Sequence, residues 1–163
     1  MNGYSIILLC FVAGVAFSAE LPEKFYGKFD LDHSEKFEEY LEAKGYSWIT
    51  RKLVTFATFK KEFTKGEKPG TFDYANLTSK KNVFYKNVQL GKEFVGEGLD
   101  STKHNVTFTL VGSKLVEKHV PTESGEAKDE SYEYTFATED GKEFLVVSME
   151  AEGIVAKRFY KRV

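Results

Sequence analysis

The sequence predicts an all-β, mostly antiparallel domain with one pair of helices near its start. From Phe59 onward, short stretches of alternating apolar and polar residues are separated by turn residues, roughly every ten positions. Only the segment between Glu35 and Phe56 carries apolar residues at helical spacing. Aromatic residues make up 15% of the chain, mostly Phe and Tyr, which suits a β-rich protein with a wide apolar interior.

The helical pair follows a first strand, which period-two alternation predicts over residues 25–31. Ser34 is in position to cap a helix over Glu35–Leu41, and Gly45 is expected to end it. A second amphipathic segment, Trp48–Phe56, completes the pair.

Turn residues then divide the rest of the chain into consecutive strands. Glu139–Lys142 is the strongest hairpin signal, because Asp-Gly supplies the positive φ that such turns need. The polar, acidic segment Pro121–Asp129 predicts a long flexible loop. Further turns are predicted at Gly66–Gly70, Leu77–Asn82, Gly91-Lys92, Asp100–Asn105, Gly112-Ser113 and Glu152-Gly153. Sequential antiparallel strands either leave edges or close on themselves into a barrel.

Residues 1–18 are predicted to be a signal peptide, and residues 19–163 a single domain. The apolar run Ile6–Phe17 is too short for a stable bilayer anchor, and Ala16-Phe17-Ser18 places small residues suitably for a cut before Ala19. The alternative is a buried first strand or helix. Cleavage would remove Cys10, the only cysteine, leaving no disulfide or thiolate. We therefore expect a secreted, extracellular protein.

Charge and spacing disfavour several function classes. A net charge of −2 with interspersed acids and bases gives no electrostatic case for nucleic acid. His33, His104 and His119 share no metal-ligand spacing, so no metal or cofactor is expected. Asp100, Ser101 and His104 lie in a turn without a nucleophile elbow, so no catalytic residue is predicted. Glycosylation sequons begin at Asn76 and Asn105.

A linked pattern of aromatic and aliphatic residues spans the first strand and helix. It comprises Gly27, Phe29, Leu31, Phe37, Glu38, Tyr40, Leu41 and Lys44, with one departure at Lys36. Further matching segments are Thr50–Lys52, Leu90–Phe94 and Arg158–Tyr160. This set, spread over Leu21–Val163, resembles the intracellular lipid-binding protein family, which includes the fatty-acid-binding proteins. With its leader, the chain resembles the secreted branch of that family described in nematodes.

The resemblance implies a ten-stranded antiparallel up-and-down β-barrel (β-clam) capped by a helix-turn-helix lid. It also implies a monomeric, non-catalytic carrier of long-chain fatty acids or similar lipids, for transport, storage or delivery to membranes. One alternative is a retinoid carrier with the same barrel. The other is a secreted interaction module with a filled barrel, acting through the loop Pro121–Asp129.

Arg158 and Tyr160 share one face of the last strand. A buried arginine needs an anion or many acceptors, and a guanidinium can hold both oxygens of a carboxylate. Periodicity alone leaves open which face is inward, whereas the resemblance makes the two residues an interior headgroup pair. Many relatives supply a second interior arginine or glutamine from the strand that here runs Tyr132–Thr138. This sequence has no cation there, so we expect either a simpler headgroup site with one arginine or a carboxylate bound partly through water.

The remaining predicted site residues form a cavity wall and a portal. The wall is assigned to Tyr134, Phe136, Met149 and Phe94, and the portal and lid to Trp48, Arg51, Lys52, Lys80 and Lys81. With Lys60 and Lys61, the portal cations would form a basic rim for transient contact with anionic membranes. The alternative is an ordinary set of solvated turn lysines. Ligand entry would require the lid to open together with the turns near Lys80-Lys81 and Asp100–His104.

Overall fold

The computed structural model describes residues 19–123 and 128–163. The predicted signal peptide lies outside the described residues, as do four positions of the loop Pro121–Asp129. A short 3-10 turn, Glu23–Phe25, precedes the first strand. The elements are β1 (Gly27–Glu35), α1 (Phe37–Ala43), α2 (Trp48–Thr55), β2 (Phe59–Lys65), β3 (Phe72–Thr78), β4 (Asn82–Val88), β5 (Phe94–Glu97), β6 (Lys103–Val111), β7 (Lys114–Pro121), β8 (Glu130–Glu139), β9 (Lys142–Ala151) and β10 (Ile154–Arg162).

The strands form one ten-stranded sheet in the order β4-β3-β2-β1-β10-β9-β8-β7-β6-β5, and every pairing is antiparallel. The sheet curls so that its two end strands, β4 and β5, approach each other. Across that gap the Tyr85 hydroxyl donates to the Glu97 carbonyl at 3.1 Å. A Cβ at Gly96 would lie 2.6 Å from the Tyr85 ring, so this approach requires glycine. The result is the predicted barrel, nearly closed.

The hairpin turns follow from local sequence. Asp140 and Gly141 both have positive φ, 48° and 75°, as a two-residue hairpin turn needs, which confirms the strongest turn signal. Glu152-Gly153 is built the same way. The prediction at Gly91-Lys92 was right about a turn, but the turn joins β4 and β5, which do not pair.

The first helix begins later than predicted. β1 continues through Glu35 after an irregularity between Leu31 and His33, so Ser34 is a strand residue and not an N-cap. Lys36 turns the chain with a φ of 50°, and α1 then starts at Phe37. Its end is as predicted. Gly45, at φ 87°, donates to the Glu42 carbonyl, and Tyr46 N donates to Leu41 O, which together make a Schellman motif.

The two helices lie next to each other in sequence and differ in burial. α1 buries Phe37, Tyr40 and Leu41 against the barrel, whereas α2 buries no residue. Ser47 is the N-cap of α2, and its hydroxyl accepts a hydrogen bond from Thr50 N at 3.3 Å. None of the described helices is long and apolar enough to cross a membrane.

Phe25 closes the barrel end opposite the helices. It is fully buried, and its ring packs edge-on to Phe63 and Phe136. Phe63 in turn contacts Phe72 and Tyr134, so aromatic rings line this part of the interior.

Candidate functional site: the barrel interior

Arg158 lies inside the barrel, with 4% of its surface exposed. The face of β10 that carries Arg158 and Tyr160 therefore points into the barrel, as the resemblance implied. The guanidinium carbon is 4.0 Å from the ring centre of Phe37 on α1 and 3.9 Å from that of Phe59 on β2. Nε donates to Ser34 Oγ at 3.4 Å. No carboxylate among the described residues lies within ion-pair distance of Arg158, so two rings and one hydroxyl are its contacts.

Tyr160 is also buried, one pleat along β10 from Arg158. Burial lowers the pKa of Arg158, yet an arginine of this kind keeps its charge at any physiological pH. Burial raises the pKa of Tyr160, so its hydroxyl stays protonated and able to donate. The two residues present a permanent cation and a hydrogen-bond donor on one inner face.

Lys61 supplies a second interior cation, from β2. It was predicted on the outer rim, and that prediction is wrong, because only 6% of it is exposed. Its Nζ donates to Tyr74 Oη at 2.8 Å and lies 5.8 Å from the ring centre of Tyr160. Burial lowers the pKa of Lys61 to about 8. β8 carries no cation, so the second interior cation comes from β2 and is a lysine instead of an arginine.

A chain of hydrogen bonds crosses the interior from Lys61 to β7. Tyr74 Oη lies 3.0 Å from Tyr134 Oη, and Tyr134 donates to a carboxylate oxygen of Glu117. The other oxygen of Glu117 lies 2.7 Å from His119 Nε2. Burial alone would raise the pKa of Glu117, but His119 and the charge of Lys61 hold it below its usual value. Glu117 therefore stays ionised inside the barrel.

Lys61, Glu117 and His119 were missed as interior residues, although the sequence carried a signal for each. Lys61 lies between Phe59 and Phe63 at a spacing of two, and all three share the inward face of β2. Glu117 and His119 continue the inward face that Leu115 begins. Charged residues at period-two positions between buried residues are the pattern of an interior polar cluster.

The predicted wall residues all face inward. Tyr134 and Met149 are buried, and Phe136 and Phe94 are partly buried and pack against the same core. Phe136 contacts Phe25 at the closed end of the barrel. Phe94 packs on Tyr85 beside the gap between β4 and β5. They occupy different levels of the interior, so they do not form one compact subsite.

The predicted basic rim is largely neutralised. Lys52 pairs with Glu38 on α1 at 2.9 Å. Lys81 pairs with Glu97 and also donates to Ser101 Oγ at 2.8 Å, which ties together two turns at the portal. The other two pairs are Lys60 with Asp30 at 3.2 Å and Arg51 with Glu42 at 3.8 Å. Lys80 is exposed.

The most open feature of the portal is apolar. Four residues of the α2 segment are largely exposed: Trp48, Ile49, Leu53 and Phe56. The exposed fraction is 63% for Trp48 and 85% for Phe56. We call these four residues the α2 apolar face. Exposed apolar surface of this kind marks an interaction site more often than a folding element.

The structure does not bring Ser101 and His104 together as a nucleophile and base. His104 Nε2 contacts Asp100 at 3.0 Å, but the Ser101 hydroxyl contacts Lys81 instead of the histidine. His33 lies outside the barrel and stacks on Phe159 at 4.3 Å. Within residues 19–123 and 128–163, no group of three or more potential ligands could hold a metal ion.

The two sequons lie on opposite faces of the barrel wall. Asn76 is paired with Lys61 in register and faces inward, where its Oδ1 is shielded and has no hydrogen-bond partner in the described chain. A glycan on Asn76 would not fit the folded barrel. Asn105 lies between inward His104 and Val106, so it faces outward.

A nearly closed antiparallel barrel, a helical lid and a charged interior define a class of protein that holds its ligand inside. The chain is 63% identical over 158 residues to the fatty acid-binding protein homolog 1 of Caenorhabditis elegans, which covers 97% of each chain. It is 41% identical over 145 residues to a fatty acid-binding protein homolog of Ascaris suum, covering 87% of this chain and 86% of that one. This chain belongs to the fatty-acid-binding protein family.

A solved structure agrees in fold. As-p18, an extracellular fatty acid binding protein, superposes with a TM-score of 0.81 at 40% identity, covering 89% of this chain and all of that one. No family model matches the chain. The ten-stranded barrel with its helical lid, implied by the sequence resemblance, is thereby confirmed.

Proposed function

We propose that this protein is a non-catalytic carrier that binds long-chain fatty acids or similar lipids inside its barrel. Arg158 carries the proposal. A buried guanidinium with no carboxylate partner in the described chain is costly, and an acid ligand would supply the missing counter-ion. Tyr160 would donate its hydroxyl to the same carboxylate. The names of the relatives support this ligand class.

The acyl chain would extend from Arg158 along the inward aromatic and aliphatic side chains. Each methylene removed from water contributes about 0.8 kcal/mol, so the chain supplies most of the affinity. The carboxylate, held by Arg158 and Tyr160, fixes the orientation and discriminates acids from neutral lipids.

The test compares a fatty acid with its alcohol. We expect Arg158→Gln to weaken hexadecanoate binding about 10- to 100-fold, because a hydrogen bond to a charged group contributes roughly 1.5–3 kcal/mol. Binding of hexadecanol should change little. The matched control is Lys157→Gln, which alters an exposed residue of the same strand. Isothermal calorimetry measures both ligands with the wild type and the two variants, and equal losses for acid and alcohol in Arg158→Gln would overturn the headgroup assignment.

Secretion forms a second part of the proposal. Residues 1–18 would direct export and be removed before Ala19, and the mature carrier would act as a monomer in extracellular fluid. The small residues at Ala16 and Ser18 and the similarity to extracellular As-p18 support this. Expression in a secreting cell, followed by intact mass and light scattering, tests it. A retained protein that still begins at Met1 would contradict it.

Delivery to membranes would use the α2 apolar face. The cations around the portal are mostly paired with acids, so we expect contact with a bilayer to depend on the exposed apolar side chains more than on positive charge. Transfer to vesicles should therefore depend only weakly on salt.

A further inference from the structure

The interior holds more polar groups than one carboxylate head requires. Arg158 and Tyr160 account for an acid group, but Lys61 and Asn76 form a second polar pair on neighbouring strands. In the register of β2 and β3, Lys61 lies directly opposite Asn76, and both face inward. The Cβ atoms of such directly opposed residues lie roughly 5 Å apart.

Both members of this pair have unused hydrogen-bonding capacity. The Lys61 ammonium has three N–H donors, and within the described chain one of them is used, by Tyr74. The Asn76 Oδ1 is an acceptor with no donor, although it is shielded from solvent. Val83 is the register partner of Asn76 on its other side, and it is apolar. The pair therefore offers two unused N–H donors of Lys61 beside one unused acceptor of Asn76.

The pair lies deeper than the headgroup site. Phe59, which contacts the Arg158 guanidinium, precedes Lys61 by two residues on the inward face of β2. Two residues of strand correspond to about 7 Å. A ligand whose carboxylate is on Arg158 and whose chain extends away from the helices would pass Lys61 and Asn76 with its first carbons.

We propose that the preferred ligand is a fatty acid with a hydroxyl group on its acyl chain, bound between Lys61 and Asn76. The oxygen of such a hydroxyl accepts a hydrogen bond from Lys61, and its O–H donates one to Asn76 Oδ1. One hydroxyl group therefore satisfies both side chains. A keto oxygen would serve Lys61 alone, and a plain methylene would leave both unpaired. A site built to bind a hydroxyl discriminates against ligands that lack it. The inference rests on the proposed function, since it places the acid group on Arg158.

The experiment compares hexadecanoate with three isomers of hydroxyhexadecanoate. Each isomer carries one hydroxyl group, near the carboxyl end, in the middle of the chain or at the methyl end. Affinities are measured by calorimetry for the mature wild-type protein. We expect the isomer hydroxylated near the carboxyl end to bind roughly 10-fold more tightly than hexadecanoate, since it makes two hydrogen bonds that hexadecanoate lacks.

Variants assign the preference to the pair. Asn76→Leu, which keeps the approximate shape, should reduce the preference to within about twofold while hexadecanoate binds at least as well, since the orphaned acceptor is gone. Lys61→Met should also reduce it, and the control Lys60→Met, on the outer face, should leave it unchanged.

The two proposals fail in different ways. If the wild-type protein binds hexadecanoate and all three isomers equally, the hydroxyl site is wrong and the fatty-acid carrier stands. If it binds none of the four acids, the proposed function is wrong. The wild-type panel decides between these results even where a variant fails to fold. A preference that survives in both Asn76→Leu and Lys61→Met would also overturn the assignment.

Discussion

The two helices of the lid are joined by four residues, and yet they relate to the barrel in opposite ways. α1 buries three aromatic or aliphatic side chains, and its Phe37 contacts Arg158 inside the barrel. α2 buries none and exposes its apolar face. α1 is therefore part of the core and of the headgroup site, whereas α2 is held by polar contacts such as Lys52 with Glu38 and by the partly buried Val54. We expect α2 to be the part of the lid that opens.

The largest expected difference between the helices concerns stability. Phe37→Ala removes a buried ring that packs on both Tyr40 and Arg158, so we expect a loss of about 3–5 kcal/mol in the free energy of unfolding. The matched change on α2 is Leu53→Ala, at an exposed position, where the effect should lie within about 0.5 kcal/mol. Urea unfolding measures both. Similar losses at the two positions would show that α2 is also packed on the barrel.

The same contrast between buried and exposed neighbours separates Lys61 from Lys60. Lys61 has a pKa of about 8 in the folded protein, below its value of 10.5 in the unfolded chain. Between pH 8 and 10.5 the unfolded state binds more protons than the folded state, so Lys61 makes the free energy of unfolding rise with pH over this interval. Below about pH 8 the cost of burying the charged ammonium applies in full. Tyr74, Tyr134, Glu117 and Arg158 surround it.

Lys61→Met should therefore abolish the rise in the free energy of unfolding between pH 8 and 10, because the group that titrates in this interval is gone. Lys60→Met, on the outer face, should keep the pH profile of the wild type. Urea unfolding from pH 7 to 10 gives both profiles, and effects of the buried tyrosines cancel in the comparison. Parallel profiles for wild type and Lys61→Met would contradict the placement of Lys61.

Much of the fold and part of the site could be predicted from local sequence. The turns at Asp140-Gly141 and Gly45 were predicted correctly, because a positive φ is a local requirement of these turns. Arg158 and Tyr160 were identified from a spacing that the family keeps. Ser34 was assigned to a helix because a strand irregularity is not visible in the pattern, and tertiary pairing with β10 extends β1. Lys61 was placed outside because lysine is usually exposed, whereas its flanking Phe59 and Phe63 indicated the opposite.

A smaller expected effect tests whether α2 opens on its own. Ser47→Ala removes the N-cap of α2, which contributes about 1 kcal/mol to a helix. Because α2 buries no side chain, we expect this change to appear as local opening, with amide exchange in α2 faster by roughly fivefold. Exchange in α1 and the midpoint of urea unfolding should hardly change. Equal acceleration in α1 and α2 would show that the two helices open as one unit.

The last prediction concerns Phe56, where a substitution should hardly change stability but should slow the transfer of ligand to membranes. Phe56→Ser changes a residue that is 85% exposed, so the free energy of unfolding should stay within about 0.5 kcal/mol of wild type. If the α2 apolar face contacts membranes, transfer of a fluorescent fatty acid to neutral vesicles should slow several-fold, because a ring that enters the interface is lost. Val111→Ser, at another exposed apolar position, is the control, and equal transfer rates for both variants would remove the membrane role from α2.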